Sequence, residues 1–290
     1  MVDGQHRMAV EPAVSEFPPI GVAARPALSG RFRGIVELCS PERLTKLFSV
    51  GALIGAWYLG AALLPANIMP APHLVARILW GEMVAGPIWA DVGVTLTRLV
   101  YSFAFAMVVA IVLGFAMGVS RTASRFLDIW IICGMTIPSL VLILTIYMVV
   151  GLNDRAAVIA AALPVIPILT INIWEGIKSV DQKLIDMAKA YHAGAGRIMR
   201  SVIAPQIAPV MLASARFGLG LIWKMVLFVE LLGRSNGIGY KIEYYYQMFN
   251  MGKVLAYSLL FLFIMLFIEM ALLGALERRL FRWRPAQRRL

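Results

Sequence analysis

The sequence predicts an all-α integral membrane protein with about six transmembrane helices. Of its 290 residues, 60% are hydrophobic and only 15% are charged, whereas a soluble domain has about 45–50% apolar residues. The mean hydropathy is +0.79. A helix needs about 20 apolar residues to cross a bilayer core of about 30 Å. Six windows meet or approach that length: residues 47–64, 99–119, 129–152, 156–174, 210–232 and 254–276.

The first window follows residues 1–46, a proline-containing segment that we expect to be a mostly disordered cytoplasmic tail with a short helix near its end. Residues 65–90 form the predicted outer loop. In it, the amphipathic stretch 73–83 indicates a helix at the membrane interface, and residues 91–98 are expected to follow that interface before the chain re-enters.

Residues 91–276 form the predicted transport core, which contains five spans and the cytoplasmic loop 175–209. The third and fourth spans contain Pro138, Pro164 and Pro167, and we expect both spans to be kinked. Residues 277–290 form a basic cytoplasmic tail.

The basic residues predict the orientation of the chain. Loops on the cytoplasmic side of a membrane carry an excess of Lys and Arg. If the N-terminus is inside, most of the 27 Lys and Arg residues fall in the two tails and in the segments after the second and fourth spans. We therefore expect both termini in the cytoplasm, an even number of spans, and a multi-pass protein of the cytoplasmic (inner) membrane.

The remaining composition argues against several classes of function. Cys39 and Cys133 are isolated, and the three histidines are scattered, so neither a disulfide framework nor a metal site is indicated. The net charge of +11 is explained by membrane orientation without nucleic acid as a partner. Clustered acid, base or nucleophile residues that would indicate an enzyme are missing.

Four charged residues fall inside predicted spans, where an ionisable side chain is costly and usually faces protein or water. Arg216 and Glu269 lie at similar depth, so that they are expected to pair across neighbouring helices, although a direct role in transport stays open. Lys224 lies deeper and either attracts an anionic substrate or reaches a nearby carboxylate or carbonyl. Glu230 lies near the outer end of its span, where we expect partial hydration.

The polar, basic stretch 176–209 between two apolar spans is too long to be a mere connector. Asp181 is positioned to cap a short helix, which Gly194 and Gly196 can end, and a second short helix is expected over 197–204. The pattern leaves open whether the first helix docks into a cytoplasmic partner or lies on the lipid surface. Its apolar stripe consists of Leu184, Ile185, Met187, Ala188 and Tyr191.

Within this loop, Asp186-Met187-Ala188, His192 and Ile203-Ala204-Pro205 resemble the Glu-Ala-Ala, three residues, Gly, nine residues, Ile-x-Leu-Pro loop of binding-protein-dependent ABC importer permeases. Further segments resemble the nitrate/sulfonate/taurine/bicarbonate branch of that family, in matching order and spacing. They are Met69-Pro70-Ala71-Pro72, Thr95-Leu96-Thr97-Arg98, Ile137-Pro138-Ser139, Gly176-Ile177-Lys178-Ser179-Val180-Asp181, Trp223-Lys224 to Gly233, and Gly237-Ile238-Gly239-Tyr240.

The resemblance implies a type I ABC importer permease fold and a chain that moves a small, anionic solute. The expected partners are two copies of a cytoplasmic ATP-binding subunit, a second permease copy and an extracytoplasmic solute-binding protein. ATP and Mg²⁺ are expected in the ATP-binding subunit, since this chain has no phosphate-loop motif and binds no cofactor itself. The resemblance assigns the ATPase-coupling role to Leu184, Asp186, Met187, Ala188, Lys189, Ala190, Tyr191, His192, Ala193, Gly194 and Pro205.

Two residues depart from the family pattern. Asp186 replaces the usual Glu, and His192 replaces the usual Gly at a turn that favours a left-handed backbone. Either His192 adopts that backbone or Gly194 or Gly196 takes over the turn. The alternative function, a secondary transporter driven by an ion gradient, would need intramembrane acids, for which Glu269 is the candidate, and often an inverted repeat.

Overall fold

The computed structural model of the protein describes residues 41–86 and 88–273. Residues 1–40 of the predicted tail 1–46, and the whole predicted tail 277–290, lie outside these ranges. The chain divides into two units, Met1–Ile54 and Gly55–Leu290. The described residues form helices and no strands. The helices are α1 Pro41–Leu63, α2 Pro72–Ala85, α3 Ile88–Val119, α4 Arg121–Thr136, α5 Ser139–Val150, α6 Asp154–Ala162, α7 Ile166–Lys178, α8 Gln182–Ala190, α9 Ala195–Ile198, α10 Ala204–Gly233, α11 Ile238–Gln247 and α12 Met251–Phe267, with π-helical segments Met199–Ile203 and Ile268–Leu273.

Four described helices are long and apolar enough to cross a membrane, and two bent pairs bring the number to six if each pair crosses once. The pair α4 and α5 bends by 99° and the pair α6 and α7 by 47°. Pro138 lies at the first break and Pro164 at the second, so the predicted kinks are confirmed. Pro167 lies in the first turn of α7, where the missing amide hydrogen costs little.

The second span begins earlier than predicted. The stretch 91–98, which we expected before the second span, belongs to the helix of that span, because α3 runs from Ile88 to Val119. Asp91 and Arg98 are 8% and 3% exposed, so these polar side chains find partners inside the protein and do not end the helix. The predicted interfacial helix is present as α2.

The centre of the described fold is a contact between α3 and α7, helped by two glycines one turn apart. A Cβ atom at Gly114 would lie 2.8 Å from Ile173 Cγ2, and one at Gly118 would lie 2.5 Å from Ile177 Cγ2. Small residues at this spacing let helix backbones approach closely in a membrane. The core continues through α6, whose alanines are fully buried: Ala156, Ala157, Ala160, Ala161 and Ala162.

The helix α2 is fastened to the start of α12 by polar contacts. Glu82 Oε1 lies 2.8 Å from Lys253 Nζ, and the Tyr257 hydroxyl donates a hydrogen bond to Glu82 Oε2 at 3.1 Å. The hydrogen bond from Lys253 holds the pKa of the Glu82 carboxyl below its usual value. These contacts place α2 beside the N-terminal end of α12.

Candidate functional site

The loop between α7 and α10 contains the predicted helix as α8. The Asp181 side chain accepts a hydrogen bond from the Lys183 amide at 2.9 Å, so the predicted cap is present. At the other end, the His192 amide donates to the Lys189 carbonyl at 2.8 Å and the Ala193 amide to the Ala188 carbonyl at 3.0 Å. These two bonds form a Schellman end, which satisfies the last carbonyls of the helix.

His192 itself adopts the left-handed backbone that this end requires, with φ of 54°. Gly194 has φ of −65° and Gly196 lies within α9, so the expectation that either glycine takes over the turn is wrong. Histidine is one of the non-glycine residues that enter this region with modest cost. The chain thus keeps the turn of the family loop with a different residue.

The apolar stripe of α8 divides into two faces. Ile185 and Ala188 are half-buried, while Leu184, Met187 and Tyr191 are 40%, 53% and 82% exposed. The exposed three follow a spacing of three and then four residues, so they share one helix face. On the polar side, Asp186 lies 3.9 Å from Lys189 Nζ and accepts a hydrogen bond from Gln182. Ala190, His192 and Gly194 are also exposed, and Ala193 is half-buried.

The prediction of a separate second helix over 197–204 is wrong. The helix starts at Ala195 and runs without a break, through one π-helical segment, to Gly233. Pro205 directly follows the π-helical segment Met199–Ile203, and Pro209 lies further inside α10. Gln206 connects the start of α8 to the long helix. Its Oε1 accepts a hydrogen bond from the Asp181 amide at 2.9 Å, and its Nε2 donates one to the Val202 carbonyl at 3.0 Å.

Among the charged residues in the spans, Arg216 and Glu269 are paired as predicted. Arg216 Nη2 lies 3.2 Å from Glu269 Oε1, and the two side chains are 49% and 55% exposed. Lys224 is exposed, and its Nζ lies 5.7 Å from the centre of the Trp223 ring. No carboxylate of the described residues lies within 4.0 Å of this ammonium group.

Glu230 is fully buried, so the expected partial hydration is wrong. Its Oε1 lies 2.7 Å from Arg98 Nη1, and its Oε2 accepts hydrogen bonds from the Thr95 hydroxyl and the Gly239 amide, both at 2.9 Å. The turn before α11 closes over the carboxylate. Gly237 has φ of 101° there, and a Cβ atom on it would collide with Glu230.

Arg98 is the centre of this buried cluster. Besides Glu230, it contacts Asp154 Oδ1 through Nη2 at 2.6 Å and the Asn236 carbonyl through Nη1 at 2.9 Å. Arg234 also reaches Asp154, at 3.0 Å. The cluster therefore links α3, α6 and α10 with the turn before α11. Two cations face two carboxylates, which suits a fixed structural connection.

Sequence reasoning missed Arg98 and Asp154 as members of a site. Arg98 was predicted to lie in the stretch 91–98 and in a segment that resembles the importer family, and its partner Glu230 lies 132 residues away. A signal was available, since a carboxylate within a long apolar helix requires a cation nearby. Within the described part of the chain, no group of three or more His, Cys, Asp or Glu side chains is placed to hold a metal ion.

The fold defines a class: the described residues form an all-α protein with four to six helical segments able to cross a membrane. The chain belongs to the family of binding-protein-dependent transport system inner membrane components, which its residues 106–282 match. It is therefore a permease subunit of an ABC importer in the inner membrane, and a transport component and not an enzyme. Nothing found favours the secondary transporter.

Individual relatives agree with this family. A probable ABC transporter permease protein of Brucella melitensis biotype 1 is 29% identical over 240 residues, 81% of this chain and 94% of the relative. The putative aliphatic sulfonates transport permease protein SsuC of Escherichia coli strain K12 is 28% identical over 254 residues, 84% and 93% of the two chains. A solved structure of the MetNI methionine ABC transporter, in an inward-facing conformation, matches with a TM-score of 0.60 at 18% identity, over 69% of this chain and 98% of that one. This last likeness concerns the type I importer fold.

Proposed function

We propose that the exposed face of α8 is where a separate ATP-binding subunit docks, with ATP and Mg²⁺ held in that subunit. The observation that carries the proposal is the row of Leu184, Met187 and Tyr191, three large apolar side chains without cover from the described residues. An amphipathic helix with such a row suits a groove on a partner protein. Membership of an importer family supports an ATPase as that partner.

The connection from α8 to the membrane is short and stiff, which suits the transmission of a movement. Gln206 bonds the start of α8 to the base of the helix that crosses the membrane. From Ala195 to Gly233 the chain forms one continuous helix. A displacement of α8 on ATP binding would therefore reach the span directly, and we propose this as the coupling route.

The wider assembly in this proposal contains two permease copies, two ATP-binding subunits and an extracytoplasmic solute-binding protein, with both termini of the permease in the cytoplasm. The proposed solute is a small anion, supported by the aliphatic sulfonate relative and by Lys224, which has no carboxylate within 4.0 Å among the described residues. Titration of the cognate solute-binding protein with ethanesulfonate tests the solute part of the proposal.

The coupling proposal is tested by placing a charge on the exposed apolar row. Met187→Asp and Tyr191→Asp put a carboxylate where an apolar contact is expected, and we expect at least tenfold less ATPase to co-purify with the permease, which corresponds to about 1.4 kcal/mol or more. Stimulation of ATP hydrolysis by the solute-binding protein should be lost as well. Both variants should still insert into the membrane, since the row does not pack against the spans.

Gln182→Ala is the matched control, because Gln182 is an exposed polar residue on the opposite face of the same helix. We expect it to retain the ATPase and the stimulation. If Met187→Asp and Tyr191→Asp behave like Gln182→Ala, α8 is not the docking site.

A further inference from the structure

One face of α10 is left open by the rest of the protein. Ala213, Phe217 and Lys224 are exposed, and a Cβ atom on Gly220 would meet nothing within 4 Å. These positions recur every three or four residues and so lie in one row along the helix. The opposite face is the buried one, with Ser214, Gly218, Ile222 and Val226.

The depth of Lys224 makes this open face unsuited to lipid. Lys224 lies nine residues before the end of α10 at Gly233, which is about 14 Å along a helix that must cross a bilayer core of about 30 Å. An ammonium group at such depth is costly against hydrocarbon and normally faces protein or a water-filled cavity. Arg216, nearer the inner end, has Glu269 as a partner.

The same row leads toward a polar groove at its inner end. Ala213, Ser214 and Phe217 of α10 line a groove of about 490 Å³ together with polar side chains of α7. Phe217 lies seven residues from Lys224, or about 10 Å. The polar side chains that line the groove are Asn172 and Glu175 of α7 and Ser179, which caps the end of that helix.

We propose that this face of α10 lines the passage for the solute, and that Lys224 is the residue that favours anions within it. The inference rests on the proposed importer function. The open row continues into a groove that Asn172, Glu175 and Ser179 line, which fits a wetted path. Lys224, near mid-membrane depth, is the group of this row that attracts an anion. Such a row fits a lipid-facing or tightly packed surface poorly.

The test measures water access and charge preference at Gly220, one turn from Lys224. A single cysteine is introduced as Gly220→Cys, with Cys39 and Cys133 replaced by Ser, in the permease assembled with its ATPase. The probes are 2-sulfonatoethyl methanethiosulfonate, an anion, and 2-(trimethylammonio)ethyl methanethiosulfonate, a cation. Val112→Cys on α3 is the matched control, because Val112 is 62% exposed on an apolar surface.

We expect both reagents to modify Gly220→Cys in at least one nucleotide state and neither to modify Val112→Cys. Adding Lys224→Met should lower the ratio of anionic to cationic reaction rates about tenfold, as expected for two unit charges about 10 Å apart in a partly hydrated site. Lys224→Arg should preserve the ratio. Retained ATPase co-purification shows that each variant is folded.

Two results overturn the inference. If Gly220→Cys stays unreactive in every nucleotide state, this face of α10 is covered by protein or lipid. Equal rate ratios with Lys224 and with Lys224→Met show that this cation does not select charge. Either result leaves the docking of ATPase on α8 untouched, since that proposal is decided by Met187→Asp and Tyr191→Asp.

Discussion

Glu230 is the residue whose environment says most about how α3, α6 and α10 are held together. A buried carboxylate must have its charge compensated and its oxygens hydrogen-bonded. Arg98 supplies the charge at 2.7 Å, while Thr95 and Gly239 donate to the second oxygen. Replacing a whole ion pair by apolar residues is often harmless, but removing one member leaves an unpaired buried charge.

Removing Arg98 should therefore destabilise the protein strongly. Arg98→Met leaves Glu230 buried without its cation and takes one of two cations from Asp154. We expect a loss of about 3–5 kcal/mol, measured as a lower midpoint of thermal unfolding of the purified permease in detergent. The control is Arg77→Met on α2, an exposed arginine whose loss should change stability by less than about 0.5 kcal/mol. If the two variants unfold at the same temperature, the cluster does not stabilise the fold.

The sequence predicts a residue's contact correctly where the partner is near in the chain or lies at the same depth in a neighbouring span. Asp181 caps α8 by accepting from the amide two residues later. The pairing of Arg216 with Glu269 follows from their equal depth in neighbouring spans. For Glu230, hydration could not be judged from the sequence, because the groups that bury it lie in α3, more than 130 residues earlier, as well as in the turn before α11. For His192, the family turn left two alternatives open, and its φ of 54° shows that His192 and not a later glycine forms the turn.

At the scale of elements, the contact between α3 and α7 depends on the absence of side chains. Gly114 and Gly118 lie one turn apart on α3 and face Ile173 and Ile177, also one turn apart on α7. Because lipid is as apolar as the helices, close packing and not the hydrophobic effect must hold them together. The glycines permit that packing by bringing the two backbones together.

A single methyl group on this surface should disturb it. Gly118→Ala places a Cβ atom 2.5 Å from Ile177 Cγ2, and overpacking of this kind costs about 1–3 kcal/mol. Gly93→Ala is the matched control on the same helix, since its Cβ would meet nothing within 4 Å; helix propensity there should give a gain of up to about 1 kcal/mol. Thermal unfolding of both variants measures the difference. A fall for Gly93→Ala equal to that for Gly118→Ala would contradict the packing argument.

Element boundaries were predicted well where apolar windows end in turns and poorly where polar residues are buried. The outer end of α3 contains Asp91 and Arg98, which a hydropathy window treats as the end of a span. The start of the helix that contains α10 was predicted too late for another reason. The polar stretch before Pro205 is helical and continuous with the span. In both places the helix continues beyond the apolar segment, and only tertiary contacts reveal it.

At the scale of the whole molecule, one contact constrains the path of the chain through the membrane. Glu82 on α2 lies 2.8 Å from Lys253 at the start of α12, so both belong to the same side. The chain between them must then cross an even number of times. Four crossings result if α3, the two bent pairs and α10 each cross once. On this path α8 and α11 lie on opposite sides, since α10 alone separates them.

The excess of basic residues predicts which side is cytoplasmic. Labelling of single cysteines in spheroplasts that lack the ATPase checks this predicted orientation. Lys183→Cys on α8 and Tyr246→Cys on α11 are matched, since both side chains are exposed, and Cys39 and Cys133 are replaced by Ser. A membrane-impermeant maleimide should label Tyr246→Cys in intact spheroplasts and Lys183→Cys only after permeabilisation. The reverse order would invert the topology, and with it place α8 beyond the reach of any cytoplasmic ATPase. Labelling of both in intact spheroplasts would mean that α10 does not cross, because a crossing helix must hold the two positions on opposite sides.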